Sequence, residues 1–325
     1  MRTSLSCRLI VLLTTLCLFP VMASGDEEQN PEAIEHYNAG VEYTRQGDFQ
    51  SAVEEYLKSL EIDPENVQTL YGLGLAYRQL DDLEQAIEYL SRATGLNPRY
   101  IDAYYELGLV YWKTKQYQEA IDQFLTVTNF GPEAGSKYPK AYYSLGRIYL
   151  LQEELDLALE ALQMSVAFDD QYAEAQYYLG EVHRKKKELT AAIEAYHLAA
   201  ALDSTDMQTF YKLGIVYKDD GQYQPAVDAF QKVIGSGTRF ATDSRYRLGS
   251  VYNSLGRYDD AIEILGEYLE LKPGAASALM ALGEAYENLC QYAEAIEAYG
   301  QAAQDSRWAQ YANYKIDQLQ KYVEE

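Results

Sequence analysis

Residues 67–98 read VQTLYGLGLAYRQLDDLEQAIEYLSRATGLNP, and their pattern decides the fold. Leu70, Leu73, Gly74 and Tyr77 fall at i, i+3, i+4 and i+7, one face of a helix. Asp81-Asp82 breaks the pattern, and the second Asp suits an N-cap, where a carboxylate accepts from a free backbone amide. Leu83, Ala86, Ile87, Leu90 and Ala93 resume the helical period until Asn97-Pro98 stops it. The stretch therefore predicts two short amphipathic helices joined by a tight turn. Helices of about 13 residues are marginal alone, so such a hairpin must stack on others to bury its apolar face.

The stacking partners are in the same chain. The Leu-Gly-x-x-Tyr element recurs with its glycine at Gly40, Gly74, Gly108, Gly146, Gly180, Gly214, Gly249 and Gly283, spaced by 34, 34, 38, 34, 34, 35 and 34 residues. An alanine follows twelve residues after each glycine, from Ala52 to Ala295. A mid-helix glycine costs about 1 kcal/mol against alanine, so eight of them need a compensating close approach. The expectation is that each glycine is set against that alanine of the second helix. Pro64, Pro98, Pro132 and Pro273 close units, while Pro31, Pro139 and Pro225 lie at helix starts, where a missing amide costs little.

The unit beginning at Ile101 shows the pattern best, with Tyr104, Leu107, Gly108, Tyr111, Ala120, Phe124 and Pro132. It resembles the tetratricopeptide repeat family over residues 33–306. The resemblance implies an all-α, right-handed superhelical solenoid of about eight helix-turn-helix units. The expected organisation is repeats one to three over residues 33–134, an insertion at 135–138, repeats four to eight over 139–306 and a C-terminal capping helix over 307–325. In that last helix Trp308, Tyr311, Ala312, Ile316, Leu319 and Val323 are expected to face inward, with Lys315, Asp317, Gln320 and Lys321 outward.

The 325 residues include 50 acids against 27 Lys and Arg, a formal charge of −23, which disfavours nucleic acid as a partner. With 48% hydrophobic and 13% aromatic residues the composition is that of a packed chain. Arg2 and Arg8 precede an apolar run from Leu9 to Met22, short of the roughly 20 residues a membrane-spanning helix needs. Residues 1–23 therefore read as a signal peptide, cleaved after Ala23 or, second, after Gly25, with an uncleaved membrane anchor as the other reading. Residues 24–32 form a short linker. The exported, periplasmic or secreted chain would carry 25 − 50 = −25 charges and one cysteine, Cys290, so no internal disulfide.

No constellation for catalysis, metal or cofactor is expected. His36 and His183 occupy packing positions and His197 a second helix, without a third ligand at useful spacing. What remains is a surface. The resemblance implies that the first helices line a concave groove and that Tyr37, Tyr71, Tyr105, Tyr143, Tyr177, Tyr211 and Tyr246, followed by Met280, face into it. Arg78, Lys113, Arg147, Arg184 and Lys218 lie on the same helices and would receive an acidic segment if they projected there. The carboxylate clamp of cytosolic chaperone-binding relatives is missing, since Val41 and Leu75 replace its Asn residues. The expected function is an exported, non-enzymatic scaffold that binds a protein or peptide partner, engaged in assembly of an envelope complex. A self-associating structural repeat protein is the other reading.

Overall fold

The computed structural model describes residues 30–323; the signal-peptide expectation and most of the linker lie outside them. Among the described residues the regular structure is seventeen α-helices and one 3-10 turn, without strands. The first helices of the eight units are α1 (Pro31–Gln46), α3 (Val67–Gln79), α5 (Ile101–Lys113), α7 (Lys137–Leu151), α9 (Ala173–Lys185), α11 (Met207–Asp219), α13 (Ala241–Ser254) and α15 (Ala276–Asn288). Their second helices are α2 (Phe49–Ile62), α4 (Leu83–Leu96), α6 (Tyr117–Asn129), α8 (Leu155–Phe168), α10 (Leu189–Leu202), α12 (Tyr223–Gly235), α14 (Tyr258–Leu271) and α16 (Tyr292–Ala302). A last helix, α17 (Ser306–Val323), packs on α16. Each helix packs on its neighbours in sequence, so the core runs along the stack as linked clusters.

The caps follow the side-chain chemistry read above. Asn66 and Asp82 accept from the amides of Thr69 and Gln85 at 3.0 and 3.2 Å, and Asp48 and Asp206 do the same for α2 and α11. Every turn within a unit places the seventh residue after the repeat glycine in the left-handed region, with φ between 60° and 81°. Glycine stands there in three units; Asp81, Lys115, Glu153, Lys187 and Cys290 stand there in the others. An L residue in that region costs roughly 1–2 kcal/mol, against the roughly 0.4–1 kcal/mol by which glycine's freedom favours the unfolded chain. Lys115→Gly and Lys187→Gly are therefore each expected to raise stability by about 0.5–1 kcal/mol in urea unfolding. A loss at both sites would contradict the left-handed turn.

The glycines do allow close approach, but the nearest neighbour is not the expected alanine. A Cβ built on Gly74 would lie 2.7 Å from Leu90, on Gly108 2.8 Å from Phe124, and on Gly214 2.6 Å from Phe230. The neighbour is thus the large residue sixteen positions on, one helical turn past the alanine, at all eight units. The alanine is fully buried throughout, and at unit four its backbone carbonyl, of Ala158, lies 3.3 Å from the glycine's would-be Cβ, behind the closer Leu162. The glycine removes a side chain so that a Tyr, Phe or Leu can lie flat on the first helix.

Around the longer spacing, Gly131–Ala134 form the 3-10 turn, and Lys137 and Tyr138 already belong to α7. Tyr138 is buried edge-on against Tyr142 and Phe168, and α6 packs directly on α7. In α17, Ala312 and Leu319 are buried and Trp308 and Ile316 pack on α16, as expected. Tyr311 and Val323 are exposed instead, and Lys315 turns toward Glu287 at 2.8 Å. The repeat register explains the difference. Asp317 stands 34 residues after Gly283, at the glycine's place, so α17 follows the register of a first helix but carries a carboxylate where the others have glycine.

Candidate interaction surface

The backbones of consecutive first helices approach one another closely along the stack, least so from α9 to α11, where the link is made by side chains, and no comparable approach joins consecutive second helices. The side of the stack carrying the first helices is therefore the tighter, inner side. Tyr37, Tyr71, Tyr105, Tyr143, Tyr177, Tyr211 and Tyr246 form one row on it at matching positions, with Met280 buried at its end. Residues four further on share the same helical face. They are Val41, Leu75, Leu109, Arg147, Glu181, Ile215 and Ser250.

The tyrosines are not free paddles. Tyr37, Tyr105, Tyr177 and Tyr246 pack against Tyr56, Phe124, Tyr196 and Tyr268 of their own second helices. Tyr71 and Tyr143 meet Tyr100 and Tyr172 at the entrance of the next unit, at 4.9 and 4.8 Å between centroids. Tyr211 does both, against Phe230 and Phe240. Half-burial raises the hydroxyl pKa of Tyr105 and Tyr211, and that of Tyr143 to about 12, so these groups stay protonated. The row is at once core and surface. Its fixed rings and hydroxyls can contact a ligand with little rotamer entropy left to lose.

Most of the cations are already engaged. Arg78 Nη1 lies 2.8 Å from Glu106 of the next unit, and Lys113 Nζ 2.5 Å from Asp81 of the previous one. Arg184 pairs with Glu181 at 3.0 Å, and Glu181 also takes Lys212 of the next unit at 3.0 Å and the hydroxyl of Tyr196. Arg147 has no carboxylate partner among the described residues; its guanidinium lies over Trp112, Tyr178 and Tyr143 at 4.2, 4.9 and 5.3 Å from their centroids. Lys218 makes no ion pair among the described residues. Arg78 and Lys113 therefore tie one unit to the next and Arg184 pairs within its own helix, so the cations do not form a free basic row. Sequence reading missed their partners Glu106 and Glu181, and missed Arg247, which pairs with Asp243 and donates to the Tyr211 hydroxyl.

Between α7, α9 and the start of α11 a pocket of about 610 Å³ opens. Tyr143, Tyr177 and Tyr178 supply its rings and Glu174, Asp203 and Asp206 its charges. Gln208 donates to the Tyr177 hydroxyl across it at 2.5 Å. Elsewhere the titratable groups are structural. His36 contacts Glu55 and His183 contacts Glu188, each at 2.7 Å, while Cys290 is exposed in its turn. Among the described residues no group of three or more His, Cys, Asp or Glu is placed to hold a metal, and no helix is long and apolar enough to cross a membrane.

Known proteins bear on this architecture in three ways. A family model described as the tetratricopeptide repeat protein 21 C-terminal ARM domain matches residues 71–241, and tetratricopeptide repeat models match 40–81, 211–276 and 254–311. No curated protein matches. Among solved structures, MamA from Desulfovibrio magneticus RS-1 (residues 41 to its end) is 26% identical, with a TM-score of 0.50 over 55% of this chain and 99% of that one. A tetratricopeptide repeat protein from Parabacteroides merdae ATCC 43184 is 14% identical with a TM-score of 0.56, covering 79% of this chain and 99% of its own. PilW, described as a type IV pilus biogenesis factor, is 17% identical with a TM-score of 0.56 over 65% of this chain and 97% of its own. These last two likenesses speak for the fold alone.

Proposed function

The chain belongs to the tetratricopeptide repeat family, and from that premise we propose that it is an exported scaffold whose inner face grips an extended segment of a protein partner in assembling an envelope complex. The observation that carries the reading is the tyrosine row, whose rings are held rigid by core aromatics along one side of the stack. Rigid aromatic surface with a polar tip binds at low entropic cost. The charged run and apolar stretch of residues 1–22 support the export half of the reading. Of the expected binding residues, the seven tyrosines and Arg147 are the contact set. Arg78 and Lys113 tie their helices to neighbouring units, and Arg184 pairs within its own helix.

Truncating the tyrosines would also open the core, so a photo-crosslinking amino acid tests the surface more cleanly. Placed at Leu109 or Ile215 of the inner face, it is expected to give an adduct of one discrete mass in producing cells. Placed at Glu88 or Lys58 on second helices it is expected to give none. Adducts of twice the chain mass would favour the self-associating alternative, and equal labelling from both faces would refute an inner-face ligand. Export is checked separately, by the N-terminal residue of the chain recovered from the cell exterior or periplasm.

A further inference from the structure

We infer that the pocket between α9 and α11 receives a lysine or arginine side chain from the partner's extended segment; this rests on the inner-face reading above. The charges point to a cation. Half-buried carboxylates elsewhere on the inner face have cationic partners within the chain: Glu106 has Arg78, Asp243 has Arg247, and Glu287 has Lys315. At the pocket the acids stand without one. The exposed Glu174 and Asp203 and the half-buried Asp206 line it, no Lys or Arg does, and none of the three has an ion pair among the described residues. Asp206 directs its oxygens to the amides and hydroxyl at the start of α11, yet its charge remains at the rim.

The rings point the same way. Tyr143, Tyr177 and Tyr178 stand at steep angles to one another, Tyr177 to Tyr178 at 89° and Tyr143 to Tyr178 at 68°. All three line the space beside the carboxylates, and an aromatic ring's quadrupole attracts a cation. The same tyrosines already hold a guanidinium, because Arg147, which does not line the pocket, lies over Tyr143 and Tyr178. The wider backbone separation of α9 and α11, bridged by the side chains of Lys212 and Gln208, leaves room for the recess. With −23 on the chain, the long-range field also favours a basic segment over the acidic one that the row of cations suggested.

The test uses fluorescein-labelled decapeptides in which Ala alternates with Lys, with Glu or with Gln, titrated against the full chain by anisotropy at low and at physiological salt. The Lys peptide is expected to bind and the Glu peptide not. Glu174→Gln with Asp203→Asn, which keeps the hydrogen bond from Thr205, is expected to weaken the Lys peptide about tenfold. Neutralising two exposed acids elsewhere, Glu61→Gln with Glu65→Gln, is expected to change affinity by less than about twofold. Tyr178→Leu, which keeps bulk but removes the ring, is expected to weaken binding about fivefold. Preference for the Glu peptide, no binding of the Lys peptide, or equal losses from the two pairs of neutralised acids would overturn the pocket's assignment. Those results, with inner-face photo-adducts intact, would leave the scaffold reading standing; loss of the adducts would remove both.

Discussion

Gly180→Val is expected to destabilise the protein by about 3 kcal/mol, while Gly266→Ala is expected to stabilise it by about 1 kcal/mol. Both glycines lie inside helices, so propensity alone would make both substitutions gains. The difference is the neighbour. A Cβ on Gly180 would lie 2.6 Å from Cδ1 and Cε1 of Tyr196 and 2.9 Å from Cγ, distances no relaxed structure keeps. Tyr196 cannot step aside: it is fully buried, its hydroxyl donates to Glu181, and its ring packs on Tyr177. Valine adds two methyl groups beyond that Cβ, so α9 and α10 must separate. At Gly266 of α14 nothing lies within 4 Å of the same atom, and alanine only removes backbone freedom from the unfolded chain. Urea unfolding of the two variants checks the pair. Because each unit leans on its neighbours, Gly180→Val is also expected to broaden or split the transition as units one to four uncouple from the rest. A Gly180→Val protein as stable as the parent would mean that the glycines do not set the helix approach.

The misassigned partner of those glycines shows where sequence reading reaches its end. Alanine twelve residues on is invariant along the chain and draws the eye, whereas the true neighbour sixteen on varies among Tyr, Leu and Phe. Repetition therefore made the fold, the two-helix unit and the caps legible, but identity was the wrong criterion for contact; size at a fixed register was the right one. The inner face divides the same way. The tyrosine row follows from register, but the partners of the cations sit about one repeat away, as Lys113 with Asp81 and Lys185 with Glu153, 32 residues apart in both cases. A search for acids one period from each base would have found them. The reading of α17 failed for a related reason: hydropathy put Tyr311 inside, whereas register makes Tyr314 the successor of Met280, 34 residues on, and leaves both tyrosines exposed.

Two glutamates of the first helices, Glu106 and Glu181, with side chains 15% and 13% exposed, are expected to act with opposite sign. Glu181→Ala should cost about 2–3 kcal/mol at neutral pH, and Glu106→Gln should be neutral or gain up to about 1 kcal/mol. Burial raises the carboxyl pKa of Glu181, but hydrogen bonds from Arg184 and Tyr196 and the charge of Lys212 outweigh it, and the net pKa falls below the ordinary value. Removing that carboxylate leaves two cations of the inner face, with side chains 32% and 22% exposed, facing each other without it. Glu106 has burial as its largest influence too, and Arg78 and Lys137 only partly offset it, so its pKa is raised. The geometry agrees. Arg78 lies 2.8 Å from Glu106 Oε2, but neither that oxygen nor Arg78 Nε has a well-directed hydrogen-bond partner. The linkage then runs in opposite directions. Glu181, depressed in the fold, contributes stability that is complete above the unfolded value of 4.5 and disappears as pH falls through the folded one. Glu106, raised in the fold, takes stability away as pH rises from 4.5 through its folded value, because there the folded chain binds more protons than the unfolded chain. Urea midpoints at pH 7 and pH 4 should show the Glu181→Ala penalty shrinking in acid and any Glu106→Gln gain vanishing there. The same sign for both variants at pH 7 would mean that the hydrogen bonds around Glu181, absent at Glu106, are not what makes a charge tolerable on this face.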